Sequence, residues 1–284
     1  MTDILLQGFL LGGLYALFAL GQSLMFGVMR LTNTAQGDFI ILGGFFAISL
    51  VGATGLALGW ALLLIAPAAF VFGYVLQRFV LNGTLGKDPL PSLVVTFGLA
   101  IIIQNLLLEL YSADPRSLDA GAIAIDSLSI GIATVGTLPL LTFGVAVLAT
   151  LALQSLFSFT SLGRSFRAVS DDREAAQLMG IRPSIVYAQA TGIAFILIAL
   201  AGMLQAMRTT VSPSDGPLLL LFAFEAVIIG GMGSFWGTLL GALLLGISQQ
   251  IGFRFDPGWG IWFGHLTFLF VLLVRPQGLF PKTR

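Results

Sequence analysis

Long apolar runs separated by short polar breaks dominate this chain, and their spacing is that of a membrane bundle. A membrane-crossing helix needs about 20 mostly apolar residues. Nine segments meet or approach that length: Ile4–Phe26, Ala35–Val51, Leu56–Gln77, Leu93–Tyr111, Leu138–Phe159, Ile185–Met207, Leu218–Met232, Gly237–Ile251 and Gly260–Val274. The last three are shorter and read as tilted, broken or re-entrant. A transmembrane β-barrel would instead show short alternating segments. The pattern predicts an all-α polytopic bundle of about nine spans in one domain, residues 1–284, with no second domain and no internal repeat strong enough to assert.

Composition agrees. Hydrophobic residues make up 57% of the chain and charged residues only 9%, against roughly 25% charged in soluble domains. The mean hydropathy is +1.00. With no cysteine there is no disulfide framework or thiolate metal site. A net charge of zero gives no nucleic-acid footprint. Met1-Thr2-Asp3 lacks the positive start of a cleavable signal, so the first apolar run is expected to stay as a span.

Positive charge orients the bundle, because lysine and arginine collect in cytoplasmic loops. With the amino terminus outside and the carboxyl terminus cytoplasmic, ten fall inside: Arg30, Arg78, Lys87, Arg164, Arg167, Arg173, Arg182, Arg275, Lys282 and Arg284. Arg116, Arg208 and Arg254, three in all, fall outside. The longest outer connection, 112–137, reads as a plain loop, with a cap over the outer mouth of a pathway as the alternative.

The polar stretch at about 160–184 is then cytoplasmic. It predicts a helix of about eight residues. Asp171 is the expected N-cap, with Ser170 as alternative and Glu174 completing a capping box. Gly180 is placed for the left-handed C′ position, and Pro183 stops continuation. Ala175, Leu178 and Met179 share one small apolar face. That face suits either a groove on a soluble partner or the chain's own cytoplasmic surface.

Polar residues inside the spans are the other candidates, since intramembrane charge is costly and faces protein or water. Asp38, beside Asn33, Gln36 and Gly37, is read as a helix–helix node or a pathway residue. Glu225 is read as a contact for a solute amine or amide, or as a partner for a neighbouring polar group. Gln104, Asn105 and Gln205 read as interhelical glue, and His265, the only histidine, as a hydrogen-bonded structural group. Gly83-Thr84-Leu85-Gly86-Lys87-Asp88 has the wrong spacing for a P-loop, so any ATPase must be another chain. Gly231-Met232-Gly233 lacks dinucleotide-binding spacing and reads as a tight turn. A serine protease using Ser234 and His265 does not match the glycine-serine setting such enzymes need.

Glu174-Ala175-Ala176 followed by Gly180 resembles the coupling loop of binding-protein-dependent ABC importer permeases. Leu162-Gly163-Arg164-Ser165-Phe166-Arg167-Ala168-Val169 is similar, more narrowly, to the branched-chain amino acid permeases. So are Asn33-Thr34-Ala35-Gln36-Gly37-Asp38, Gly230-Gly231-Met232-Gly233-Ser234 and Arg275-Pro276-Gln277-Gly278-Leu279-Phe280. Gln36 stands where that family usually has histidine, and Glu225 where it is mostly apolar.

The resemblance implies a permease subunit in the bacterial inner membrane, without a cofactor or catalytic site of its own. It implies ATP–Mg bound on two cytoplasmic ATPase subunits, a second and paralogous permease, and a periplasmic or lipid-anchored binding protein, all acting in membrane lipid. Arg164, Arg167, Glu174, Ala175, Ala176, Leu178, Met179 and Gly180 would form the ATPase-coupling surface. Asn33, Gln36, Asp38 and Glu225 are the candidate pathway residues. The solute would be a branched-chain amino acid, another amino acid, an amide or urea. An ion-coupled secondary transporter is the alternative, with Asp38 and Glu225 as ion ligands.

Overall fold

The computed structural model describes residues 2–86, 88–130 and 133–280. Lys87, Lys282 and Arg284 of the charge count lie outside those residues. Each of the nine apolar segments is a helix. They are α1 (Thr2–Met29), α2 (Gln36–Thr54), α3 (Leu58–Phe79), α4 (Leu90–Tyr111), α6 (Thr137–Phe159), α9 (Pro183–Arg208), α10 (Gly216–Gly230), α11 (Phe235–Phe255) and α12 (Trp259–Val274). Seven are long and apolar enough to cross a membrane; α10 and α12 are shorter. The eighth segment, expected to be short, is instead a helix of 21 residues. Its glycines lower the hydropathy at its ends but serve packing, as where Gly246 lies on Gly8 and Gly12 of α1.

Three short helices complete the set: α5 (Ala122–Ile125), α7 (Ser161–Asp171) and α8 (Arg173–Leu178). The 112–137 connection is not a plain loop. It contains α5 and an antiparallel hairpin of β1 (Ser127–Ile130) and β2 (Ala133–Gly136). Arg116 and Val211 exchange backbone hydrogen bonds of 3.0 and 2.7 Å, and the Leu118 amide reaches the Ala206 carbonyl at 2.8 Å. Leu118, Val135 and Val211 are buried there. The segment is thus sewn onto the end of the bundle at which α9 finishes.

The packing carries an inverted repeat. α1 packs most extensively on α11, and α9 most extensively on α3. α2 and α10 pack on each other, α4 on α2, and α12 on α10 and α11. In these contacts α1–α4 exchange roles with α9–α12, in opposite directions; the match breaks at α12, which packs on α11 whereas α4 makes no comparable contact with α3. Gly8 of α1 meets Ile247 of α11 near one end of the bundle, and Gly27 meets Gly233 near the other. Thr2 and Phe280 accordingly lie at opposite ends.

Neither α2 nor α10 starts at an end of the bundle. After α1 the chain turns at Arg30, whose φ of 54° is left-handed, and runs back inward through buried Leu31, Asn33 and Ala35. The start of α2 lies beside the middle of α1, with the Gln36 side chain donating to the Phe18 carbonyl at 3.1 Å. Residues 209–215 do the same after α9. Each return ends in a side-chain-stabilised turn. The Ala35 amide donates to Asn33 Oδ1 at 3.0 Å, and the Ser212 amide to Asp215 Oδ2 at 2.7 Å. Irregular backbone at membrane depth is tolerated only within protein or beside water. The two helix starts meet: a Cβ on Gly37 would fall on the Gly216 carbonyl.

Candidate functional site

One end of the bundle gathers α7, α8, the start of α9 and the tail after α12. Arg30, Asp171, Asp172, Arg173, Glu174, Gln177 and Tyr187 line a polar hollow of about 700 Å³ there. α7 is amphipathic at three-residue spacing, which no apolar run in the sequence reveals. Gly163, Phe166 and Val169 are buried, and Arg164 is exposed. The Thr160 hydroxyl caps its start, accepting from the Gly163 amide at 3.0 Å. Ser170 closes its far end, donating to the Gly27 carbonyl at 2.7 Å.

Asp172, not Asp171, caps α8. Its carboxylate accepts from the amides of Glu174 and Ala175 at 2.9 and 3.0 Å. The amphipathic pattern of α7 draws Asp171 into its last turn, so the cap falls one residue later and α8 is six residues rather than eight. Glu174 is then the second helical residue, one short of the capping-box position. The far end is a Schellman motif. Gly180 has φ +82°, its amide donates to Gln177, and Ile181 donates to Ala176, both at 3.0 Å.

These two caps fix which side chains face out. Ala176 is 4% exposed and turned onto the chain, a correction to its place on the coupling surface. Leu178 and Met179 are 89% and 83% exposed, and Ala175 and Glu174 are also exposed. Two large apolar side chains thus stand clear of a short helix that is held at both ends.

The polar residues of the spans fall in two groups. At the α2–α10 meeting, Asp38 is buried against Gly216 and accepts from Gln104 Nε2 at 2.8 Å. It lies in the first turn of α2 and against the first residue of α10, where helix dipoles favour negative charge. Asn33 Nδ2 and Gln36 Oε1 are buried there without a partner among the described residues. The second group joins α10 to α12. Glu225 Oε1 lies 2.5 Å from His265 Nδ1, with the glutamate 2% and the imidazole 32% exposed. Tyr15 is close by, donating to Gln249 Oε1 at 2.6 Å and packing its ring 4.8 Å from that of Phe222.

Each repeat therefore ties its outermost helix, through a carboxylate, to the helix that begins inside the bundle. Asp38–Gln104 joins α2 to α4, and Glu225–His265 joins α10 to α12. Along the α2–α4 seam the Thr34 and Thr96 hydroxyls meet at 2.8 Å, and those of Ser49 and Tyr111 at 2.5 Å. The remaining amides are local: Asn105 donates to its own helix at Ile101, and Gln205 to Thr209. Ser234 caps α11 by accepting from the Gly237 amide at 3.1 Å. Gln249, which lies against Gly264 beside His265, is 15 residues further along that helix. At 1.5 Å per residue this separates Ser234 from His265 by roughly 20 Å, too far for nucleophile and base.

Comparison with known proteins bears on both regions. The permease BraD of Pseudomonas aeruginosa, from a high-affinity branched-chain amino acid transport system, is 30% identical over 98% of this chain and 95% of its own. LivH of Escherichia coli K12, named for the same kind of system, is 27% identical over 97% of this chain and 94% of its own. Among solved structures, PsaBC from Streptococcus pneumoniae in complex with Fab superposes with a TM-score of 0.53. It does so at 12% identity, over 96% of this chain and 92% of that one, a likeness of fold. The profile of the family described as "Branched-chain amino acid transport system / permease component" matches residues 4–274. With its apolar helices, its inverted repeat and its capped surface helix, this multi-pass membrane chain belongs to that family of ABC importer permeases.

Proposed function

We propose that the chain imports branched-chain amino acids, or a closely related small polar solute, as one of two permease subunits, the other being a paralogue. A binding protein presents the solute on the outer side, where Thr2 and the hairpin lie. The end bearing α8 and the tail is cytoplasmic, as the clustering there of Arg30, Arg78, Arg164, Arg167, Arg173, Arg182 and Arg275 supports. Two ATPase subunits bind ATP–Mg and supply the work. α8 is their docking helix.

The observation that carries this reading is the exposure of Leu178 and Met179 on a helix capped by Asp172 and Gly180 and seated through Ala176. A six-residue helix is unstable alone; its caps and seat make it a stiff lever with an unfilled apolar tip. Nucleotide-driven closure of the ATPases shifts that tip, and the two access states differ in free energy through their different contacts with it. Arg164 and Arg167 of α7 are the charged contacts of this coupling surface. Asn33 and Gln36 offer an unpaired donor and acceptor on the solute path. Asp38 and Glu225 stand behind it, engaged by Gln104 and His265. Membership of an ABC importer family, rather than the state of these carboxylates, disfavours an ion-coupled carrier.

The test is cross-linking of Leu178→Cys, rather than the buried Ala176, to a cysteine in the ATPase cleft of the assembled complex. A nucleotide-sensitive cross-link is expected; an assembled complex in which Leu178→Cys never reaches the ATPase overturns the reading.

A further inference from the structure

The tail after α12 does not leave the bundle freely. A turn, in which the Gly278 amide donates to the Arg275 carbonyl at 2.9 Å, brings it back beneath the end of α10. There Leu279 donates to the Ile229 carbonyl at 2.8 Å, and Phe280 to the Gly230 carbonyl at 3.0 Å. The last carbonyls of a helix have no partner within it; here a strap from 50 residues downstream supplies two. Gly278 is buried at φ +81°, and a Cβ on it would lie 2.6 Å from Gly231 Cα and the Ile228 carbonyl oxygen.

The strap is the last link of a series. The Gly27 carbonyl accepts the Ser170 hydroxyl of α7, and a Cβ on Gly27 would meet Gly233 Cα at 3.2 Å. Gly233 belongs to the same turn as Gly231, on which Gly278 rests. These contacts are made mainly by backbone. A contact through long side chains absorbs a displacement by changing rotamer, whereas close-packed main chain has no such slack. α10, roughly 22 Å long at 1.5 Å per residue, then runs from the strap to Gly216, where it meets Gly37 and Asp38.

We propose that the Gly278–Phe280 strap and Ser170 are positioning elements that make α10 move as one body with α7–α8, carrying displacement of the docking helix to the Gly37–Gly216 meeting. This rests on α8 being the ATPase-docking helix. Glycine-rich turn and carboxyl-terminal motif thereby become two halves of one joint.

The test is hydrogen exchange at the amides of Gly216 and Leu218–Leu221 in the complete complex, compared between nucleotide-free and ATP–vanadate-trapped forms. The wild type is expected to show about a tenfold difference between the two forms, a local opening rather than global unfolding. Leu279→Pro removes the donor to Ile229, and Ser170→Ala removes the bond to Gly27 without strain. Both are expected to keep basal ATP hydrolysis and lose the difference. A merely destabilised chain would exchange faster in both forms alike.

A wild-type complex with no nucleotide-dependent difference at 216–221 overturns the proposal, as does a full difference retained in Ser170→Ala. Should Leu279→Pro fail to assemble, Ser170→Ala decides. Failure of the docking reading is separate: it appears as a missing Leu178→Cys cross-link, whatever the exchange result.

Discussion

Gly37 and Gly216 touch main chain to main chain where α2 and α10 begin, and a Cβ on Gly216 would fall on the Asp38 carboxylate. The obstruction on each side is a fixed group, the Gly216 carbonyl and a carboxylate already held by Gln104. Any side chain at either position must part the two helices.

Gly37→Val is therefore expected to cost more than the usual 1–3 kcal/mol of core overpacking. Gly144→Val, at a site with nothing within 4 Å of a Cβ, should stay within about 0.5 kcal/mol apart from helix propensity. Thermal unfolding of the two variants in the same detergent checks this. Equal midpoints would show that the meeting of α2 and α10 is looser than described.

Glu225 and His265 should behave as a unit. Glu225 is buried and His265 partly exposed, so removing the imidazole leaves a buried carboxyl without that partner, at about 1–3 kcal/mol. His265→Leu alone is expected to destabilise by that order, and the double variant Glu225→Leu/His265→Leu to recover most of it. A double-mutant cycle is the measurement. Strictly additive effects would remove the pair as the tie between α10 and α12.

The caps of α8 give a finer test. Asp172→Ala loses the acceptor for two amides and is expected to cost the helix about 1 kcal/mol. Exchange at the Glu174 and Ala175 amides should rise, with Asp171→Ala leaving both unchanged. The reverse ranking would restore Asp171 as the cap.

Leu178→Ser and Met179→Ser should leave the isolated permease as stable as the parent, because neither side chain is packed. Loss of an apolar anchor from a docked interface costs about 1–2 kcal/mol or more, some tenfold in affinity. Titration of the ATPase subunits onto permease in nanodiscs reads this directly. Unchanged affinity in both variants would move the contact elsewhere on the end of the bundle.

Much of this was legible in the residues. Long apolar runs declare helices through a local property, and all nine are present. The sequence points to Asp171 rather than Asp172 as the cap because α7 is amphipathic rather than apolar, so no apolar run marks Gly163, Phe166 and Val169 although their spacing marks a buried face. Gly180 is legible in the sequence, since a left-handed C′ glycine is a local requirement. What did not show was whatever depends on distant partners. Ala176 and Ala175 look alike in the sequence, and only the seat of α8 separates them. Asp38 and Glu225 announce themselves as buried carboxylates, but nothing local names Gln104 and His265 as their ties. The inverted repeat likewise lives in which helix packs on which, not in recurring residues.

The inward returns at residues 30–35 and 209–215 also constrain how the protein is made. Neither is an element that can sit in lipid by itself, because its backbone is not helical and its surroundings are other helices. Gly37 leaves the ribosome well before Gly216 exists, so the first return must wait for the second half of the chain. The amino-terminal helices must enter the bilayer in a provisional arrangement. Only after α10 has been synthesised can they close around the pair, which makes completion of the bundle a late step of its assembly.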